Sequence, residues 1–228
     1  MFHVKRDRGL RVGDSTSDST GKSATAPEDL IRLARTLGVT IESAAAAGLI
    51  EFERLLADPG AKRGLISRAD VPRLRERHIV DSLRAAAIPS PTTRTAYDIG
   101  SGGGLPGVVV AIACPWLQVR LVEPRRNRSA FLQSAIEVVG LRNAEVVGRR
   151  IEELTDRVDL CFARAVAPLE RSWQLARPRL AAGGLLVYFA GSSFDPSQLE
   201  RLPEAGNWDI RPAPPLASGG PLVIIGRP

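Results

Sequence analysis

Apolar residues recur along this chain with two different periods, and the switch between them separates an N-terminal helical part from a sheet-forming remainder. Leu30, Ile31, Leu33, Ala34 and Leu37 fall at helical spacing, as do Leu49, Phe52, Leu55 and Leu56, which predicts helices over 27–37 and 41–56. Asp58-Pro59-Gly60 is expected to end the second helix. A basic connector from Lys62 to Arg68 leads to a further helix from about Val71 to Ala87. Beyond it, short apolar runs alternate with helical segments, and strands are predicted near 94–99, 118–122, 144–147, 158–163, 184–190, 208–212 and 221–226. Such alternation implies a mainly parallel sheet with right-handed crossovers. The spacer before the last strand holds Pro212, Pro214, Pro215, Gly219 and Gly220 and is too short for a helix, so an antiparallel C-terminal pair is expected. The pattern therefore reads as a basic, polar and disordered tail over 1–26, a helical region over 27–90 and an α/β core over 91–228.

The core opens on Tyr97-Asp98-Ile99-Gly100-Ser101-Gly102-Gly103-Gly104-Leu105-Pro106-Gly107, followed by an apolar segment of helical character and then Val119-Arg120-Leu121-Val122-Glu123. A strand, a glycine loop, a helix and an acid at the tip of the next strand form a nucleotide-binding βαβ unit. Glycines let the backbone approach a ligand with no Cβ in the way. The acid is placed to accept hydrogen bonds from two ribose hydroxyls. Gly102-x-Gly104-x-x-Gly107 also fits a dinucleotide pattern, but Asp98 at the strand end would repel a pyrophosphate, and Pro106 removes one N–H from an anion cradle. A carboxylate there suits a ligand without phosphate and with an amine-bearing methionine arm, which favours S-adenosylmethionine (AdoMet) over NAD. Seven strands ending in an antiparallel strand, with this loop after the first, are the architecture of a class I, Rossmann-like AdoMet-dependent methyltransferase.

Composition narrows the setting. Hydrophobic residues make up 44% of 228, enough for a core, and no apolar run approaches the ~20 residues of a membrane span. The charged N-terminus lacks a following apolar stretch, so no secretory signal is read, and a cytoplasmic location is expected. Cys114 and Cys161 sit singly in apolar surroundings and read as buried reduced thiols; no zinc-binding constellation is present in the sequence. Gly21-Lys22-Ser23 has Thr16 where a phosphate loop needs its first glycine, and no strand precedes it. Net charge is +6, with arginine supplying nearly all of the basic residues, which supports a polyanionic partner without identifying one.

Several linked motifs point further. They are Val71-Pro72-Arg73-Leu74-Arg75-Glu76-Arg77-His78-Ile79-Val80-Asp81-Ser82, the glycine loop, Leu121-Val122-Glu123-Pro124, Gly148-Arg149-Arg150-Ile151-Glu152-Glu153 and Ala163-Arg164-Ala165-Val166-Ala167-Pro168-Leu169. Together these resemble the bacterial small-subunit ribosomal RNA guanine-N7 methyltransferase G family (glucose-inhibited division protein B), most specifically from Gly64 to Leu169. The resemblance implies methylation of N7 of one guanine in the decoding-region hairpin of small-subunit rRNA. It implies that Gly100, Gly102 and Gly104 pass the methionine portion of AdoMet and that Glu123 holds the ribose, with Asp98, Ser101 and Leu105 also expected to bind the cofactor. Ile151 and Glu152 would flank the adenine, largely through backbone, Arg164 would face the methyl end and the RNA, and His78 and Asp81 would lie just under the cofactor pocket. One departure stands out: Ala190 lies where the family usually carries a lysine after the fifth strand.

Guanine N7 carries an unprotonated lone pair at neutral pH, so no general base is expected, and catalysis should come from holding the reacting atoms in line. His78 reads first as a helix-packing residue, Asp81 equally as a functional group or a support for a neighbouring loop or cap, and Arg164, which could pair structurally with Glu170, as a functional residue at a strand's carboxyl end. Arg125, Arg126 and Arg128 read as a solvated helix face, whereas Arg68, Arg73, Arg75, Arg77 and Arg84 are expected to meet rRNA phosphates near the cofactor mouth. Trp116, Trp173 and Trp208 are scattered, so no stacking platform is read. The expected partner is the small ribosomal subunit or its rRNA, with the protein a monomer. A non-catalytic RNA-binding or assembly protein, a nicotinamide oxidoreductase and a methyltransferase with another substrate are the competing readings.

Overall fold

The computed structural model describes residues 26–213 and 219–228. The expected tail therefore lies outside the described residues, apart from Ala26. Seven strands form one sheet in the order β3-β2-β1-β4-β5-β7-β6, with β1 Thr95–Ile99, β2 Gln118–Val122, β3 Ala144–Val147, β4 Val158–Arg164, β5 Leu180–Phe189, β6 Trp208–Arg211 and β7 Leu222–Gly226. The first five are parallel, and β7 inserts antiparallel between β5 and β6. The fifth strand begins earlier than the sequence suggests, because Leu180 pairs with Val158 across a bulge before the regular register starts at Leu160 and Leu185.

Side-chain alternation along the strands feeds two cores. Ala96, Val119, Leu121, Leu160, Phe162 and Val187 face one side, where they meet α4 (Gly107–Ala113), α5 (Arg126–Val139) and the N-terminal helices α1 (Pro27–Thr36) and α2 (Ser43–Leu55). Tyr97, Ile99, Val122, Cys161, Ala163, Leu186, Val223 and Ile225 face the other, around the buried Trp173 of α6 (Leu169–Ala176). Val108, Val109 and Val110 prefer strand by local propensity, yet α4 is helical and buried along its whole length, so tertiary burial overrides the β-branched preference. Both cysteines are buried and free; burial pushes the thiol pKa values up, that of Cys114 to about 12.

Two helical expectations are corrected. Asp58-Pro59-Gly60 does not end the second helix, which continues through a π turn, Leu56–Gly60; the widened turn accommodates a proline that has no N–H to donate. The helix expected over 71–87 is an irregular run over 68–87. It consists of a 3₁₀ turn (Arg68–Arg73), a π turn (Arg75–Val80), one α turn (α3, Asp81–Leu83) and a closing 3₁₀ turn (Arg84–Ala87). Among the described residues no helix is long and apolar enough to cross a membrane.

Candidate functional site

Register places the site. Asp98 lies level with Leu121 on β2 and Phe162 on β4, so the carboxyl ends of all three strands reach the same edge of the sheet. Strand order reverses between β1 and β4, which opens a crevice at the point where open α/β sheets bind ligands. Gly100 to Gly103, Leu105, Arg128, Arg164, Ala165, His78, Leu65 and Ile66 line a crevice of about 200 Å³. His78, Arg164 and Ala165 also line a second, polar cavity of about 520 Å³, together with Asp70, Arg77, Asp81, Tyr188 and Ala190. These three residues form the wall common to the crevice and the larger chamber.

The glycine loop fits AdoMet. Gly102 has φ +55°, and a Cβ there would have only Arg128 Nη1 (3.6 Å) and the Gly100 carbonyl (3.7 Å) within reach, so the glycine leaves open space for a ligand. Glu123, 3% exposed at the β2 tip, accepts from Gly102 N at 3.1 Å and from Arg125 N at 2.9 Å. These bonds hold its carboxylate at the loop, where a ribose would lie. Ile151 and Glu152 do not line this crevice: Ile151 begins a short 3₁₀ turn (Ile151–Glu153) and is buried, while the Glu152 side chain turns to Arg171 at 3.0 Å. The first amides of such a turn have no intrahelical partner.

Asp98 is placed otherwise than expected. Its carboxylate is not presented to the crevice; it lies behind the loop, 1% exposed, accepting from Gly107 N at 3.0 Å. Gly107 permits this approach, since a Cβ there would stand 2.5 Å from Asp98 Oδ2 and 2.4 Å from Leu121 Cδ2. Asp98 therefore braces the loop rather than meeting the ligand's amine. Burial pushes its pKa up to about 6, only partly offset by hydrogen bonds from Ser101 and Gly107 and by Arg164. Because the folded pKa lies above the unfolded one, the stabilising contribution is complete below the ordinary carboxylate range and is lost as pH rises through about 6. We expect the stability of wild type relative to Asp98→Asn, measured by denaturant unfolding, to fall by roughly 2–3 kcal/mol between about pH 4 and about pH 7. A gap that is constant or widens with pH would contradict this.

Arg164 crosses from β4 to the 68–87 run. It donates to Ser82 Oγ (2.8 Å), Arg77 O (3.0 Å) and His78 O (3.4 Å), pairs with Asp81 Oδ2 at 3.0 Å, and lies over the Phe189 ring. Its partner is thus Asp81 and not Glu170, which is exposed. Asp81 also binds Arg84 at 2.6 Å, and Arg84 donates to Gly220 O at 3.0 Å. Arg84 is 6% exposed, so the expectation that it meets RNA phosphate is corrected: it ties the 68–87 run to the loop before β7. Arg75 is corrected likewise, since it spends two donors on Glu53 Oε2 at 2.9 and 2.6 Å and fastens the run to α2. Arg68 and Arg73 are exposed, and Arg77 is partly exposed at the cavity and bound to Asp70 at 2.7 Å.

His78 Nδ1 lies 3.4 Å from Arg164 Nη2, which casts Nδ1 as acceptor and places the ring proton on Nε2. Burial, and then the Arg164 charge, lower the His78 pKa, so the ring is neutral near pH 7. Three further features carry no local sequence signal. Ala165 adopts φ 51° at the common wall, Asp70 closes over His78 with its Oδ2 3.7 Å from Nε2, and Arg128 reaches the crevice.

A glycine loop at the switch point and an acid at the β2 tip, on a sheet with this strand order, define a class I AdoMet-dependent methyltransferase. Two solved structures share the fold: M. jannaschii TYW2 in complex with AdoMet (TM-score 0.52, 14% identity, 65% of this chain and 74% of that one) and a SAM-dependent O-methyltransferase from Thermotoga maritima (TM-score 0.52, 17% identity, 69% of each). The family model for rRNA small subunit methyltransferase G matches residues 46–204. Curated proteins named ribosomal RNA small subunit methyltransferase G are similar in sequence. That of Kineococcus radiotolerans is 34% identical over 217 residues (92% of this chain, 83% of that protein), and that of Salinispora arenicola is 41% identical over 182 residues (75% and 72%). The chain belongs to the rRNA small subunit methyltransferase G family and is an AdoMet-dependent rRNA (guanine-N7) methyltransferase.

Proposed function

We propose that the chain acts as a cytoplasmic monomer that methylates N7 of one guanine in the decoding-region hairpin of small-subunit rRNA. The observation that supports this most is the common wall: His78, Arg164 and Ala165 border both the glycine-loop crevice and the 520 Å³ chamber. A base taken out of its stack into that chamber would bring its Hoogsteen edge to the wall. The helices over 27–90 and the sheet domain over 91–228 then share the work, the first supplying Arg77, His78 and Asp81, the second the glycine loop, Glu123 and Arg164. Arg68, Arg73 and Arg77 are the basic side chains placed to meet phosphates outside.

Bound AdoMet supplies an electrophilic methyl group on a sulfonium. The residues of the site have to exclude water, fix the loop and hold the base in line. Glu123 and the amides of the glycine loop position the adenosine. Arg164 holds the 68–87 run against the end of β4, which sets the width of the chamber. Neutral His78 has no proton to remove from N7. Ala190 lines the chamber and is 7% exposed, so the base sits beside a methyl group where the family usually places an ammonium.

A mechanism without a general base has a kinetic signature. We expect the single-turnover rate of methyl transfer to vary by less than about threefold between about pH 7 and about pH 9, because no group that must lose a proton titrates there. A log-linear rise with pH across that window would require a base and would contradict the proposal.

A further inference from the structure

We infer that Arg128 receives the α-carboxylate of AdoMet. The sequence places Arg128 five residues after Glu123, in what reads as a solvated helix face, but the first turn of α5 turns it inward to line the crevice beside Gly102, Gly103, Leu65 and Ile66. Its side chain is 37% exposed, and its Nη1 lies 3.8 Å from Glu123 Oε2, beyond hydrogen-bond range. Glu123 is already engaged by the Gly102 and Arg125 amides. Among the described residues the Arg128 guanidinium donates no hydrogen bond, so its donors remain available.

The other guanidinium of the crevice is committed. Arg164 is bound by Asp81, Ser82 and the carbonyls of Arg77 and His78. AdoMet brings one anionic group, the carboxylate of its methionine arm, and an ionised carboxylate entering a half-buried crevice needs a charge-assisted partner. Among the described residues that line the crevice, Arg128 is the cation whose hydrogen-bond donors are not already engaged. Arg128 and Glu123 both border Gly102, so a ligand whose ribose meets Glu123 has its carboxylate within reach of the Arg128 guanidinium.

The inference rests on AdoMet binding at this loop and is tested with two ligands that separate the two claims. S-Adenosylhomocysteine carries the carboxylate; 5′-methylthioadenosine keeps the adenosine and the sulfur but lacks the amino-acid arm. By titration calorimetry, Arg128→Ala is expected to weaken S-adenosylhomocysteine about 10- to 100-fold. It should leave 5′-methylthioadenosine within about twofold, and Arg128→Lys should recover part of the loss. Unchanged 5′-methylthioadenosine binding also reports an intact fold. Equal losses for both ligands would make Arg128 a support for Glu123 and overturn the inference, as would no loss for either. Wild-type protein that binds neither ligand would instead overturn AdoMet binding at the loop.

Discussion

Glu123→Ala is expected to reduce the affinity for S-adenosylhomocysteine by at least about 100-fold, the largest effect of any single side chain in the crevice. Charged hydrogen bonds contribute about 1.5–3 kcal/mol each, and a ribose offers two hydroxyls to one carboxylate. The substitution also releases the Gly102 and Arg125 amides, which Glu123 now holds at 3.1 and 2.9 Å, so the loop loses its anchor on the side where the ligand enters. Glu123→Gln separates these contributions. It keeps an acceptor for Gly102 but lacks the charge, and should fall between wild type and alanine. Calorimetric titration of the three proteins checks the order; equal affinities would remove Glu123 from the site.

The second large effect is on stability. Arg164→Ala is expected to cost about 3 kcal/mol, near the low end for breaking a buried ion pair, because Asp81 retains Arg84 at 2.6 Å. For a domain of this size that corresponds to a fall in Tm of roughly 6–12 °C. Arg164→Lys should recover less than half of it. The native contacts are those of a planar fork reaching Ser82, Asp81 and two carbonyls, and a single ammonium cannot span them. Methyl transfer should fall with stability in both variants, since the 68–87 run that forms one wall of the chamber is held through this side chain. Arg164→Ala with an unchanged Tm would contradict the clamp and leave Arg164 as a substrate-facing residue only.

Backbone architecture was legible because it follows from local rules. Alternating apolar positions in strands, and a spacer too short for a helix before β7, dictate seven strands and their reversal. The glycine loop and Glu123 were legible for the same reason: their chemistry depends on spacing within one βαβ unit. What escaped depends on contacts across the chain. Nothing near Arg75 or Arg84 reveals that Glu53 and Gly220 await them, so their charge and their place beside the expected cofactor mouth read as RNA contacts. The place of Asp98 at the strand end is legible, but its direction depends on Gly107 coming within hydrogen-bond distance from the far side of the loop. Arg128 looked solvated because a helix has no inward face until the loop beside it is placed. Pro59 marked an end to a helix that a π turn carries past it.

The central claim is that the glycine-loop crevice and the chamber beside it transfer a methyl group to guanine N7 in small-subunit rRNA. Its most direct test is to offer the protein methyl-labelled AdoMet with small ribosomal subunits lacking the modification, with free rRNA and modified subunits alongside. The labelled nucleoside is then identified by mass spectrometry. The account predicts label as 7-methylguanosine in the unmodified subunits or rRNA, within the decoding-region hairpin, and none in modified subunits. Bound AdoMet with no label in any RNA would contradict it, and would leave an AdoMet-binding RNA or assembly protein whose chamber lacks the cation that Ala190 replaces.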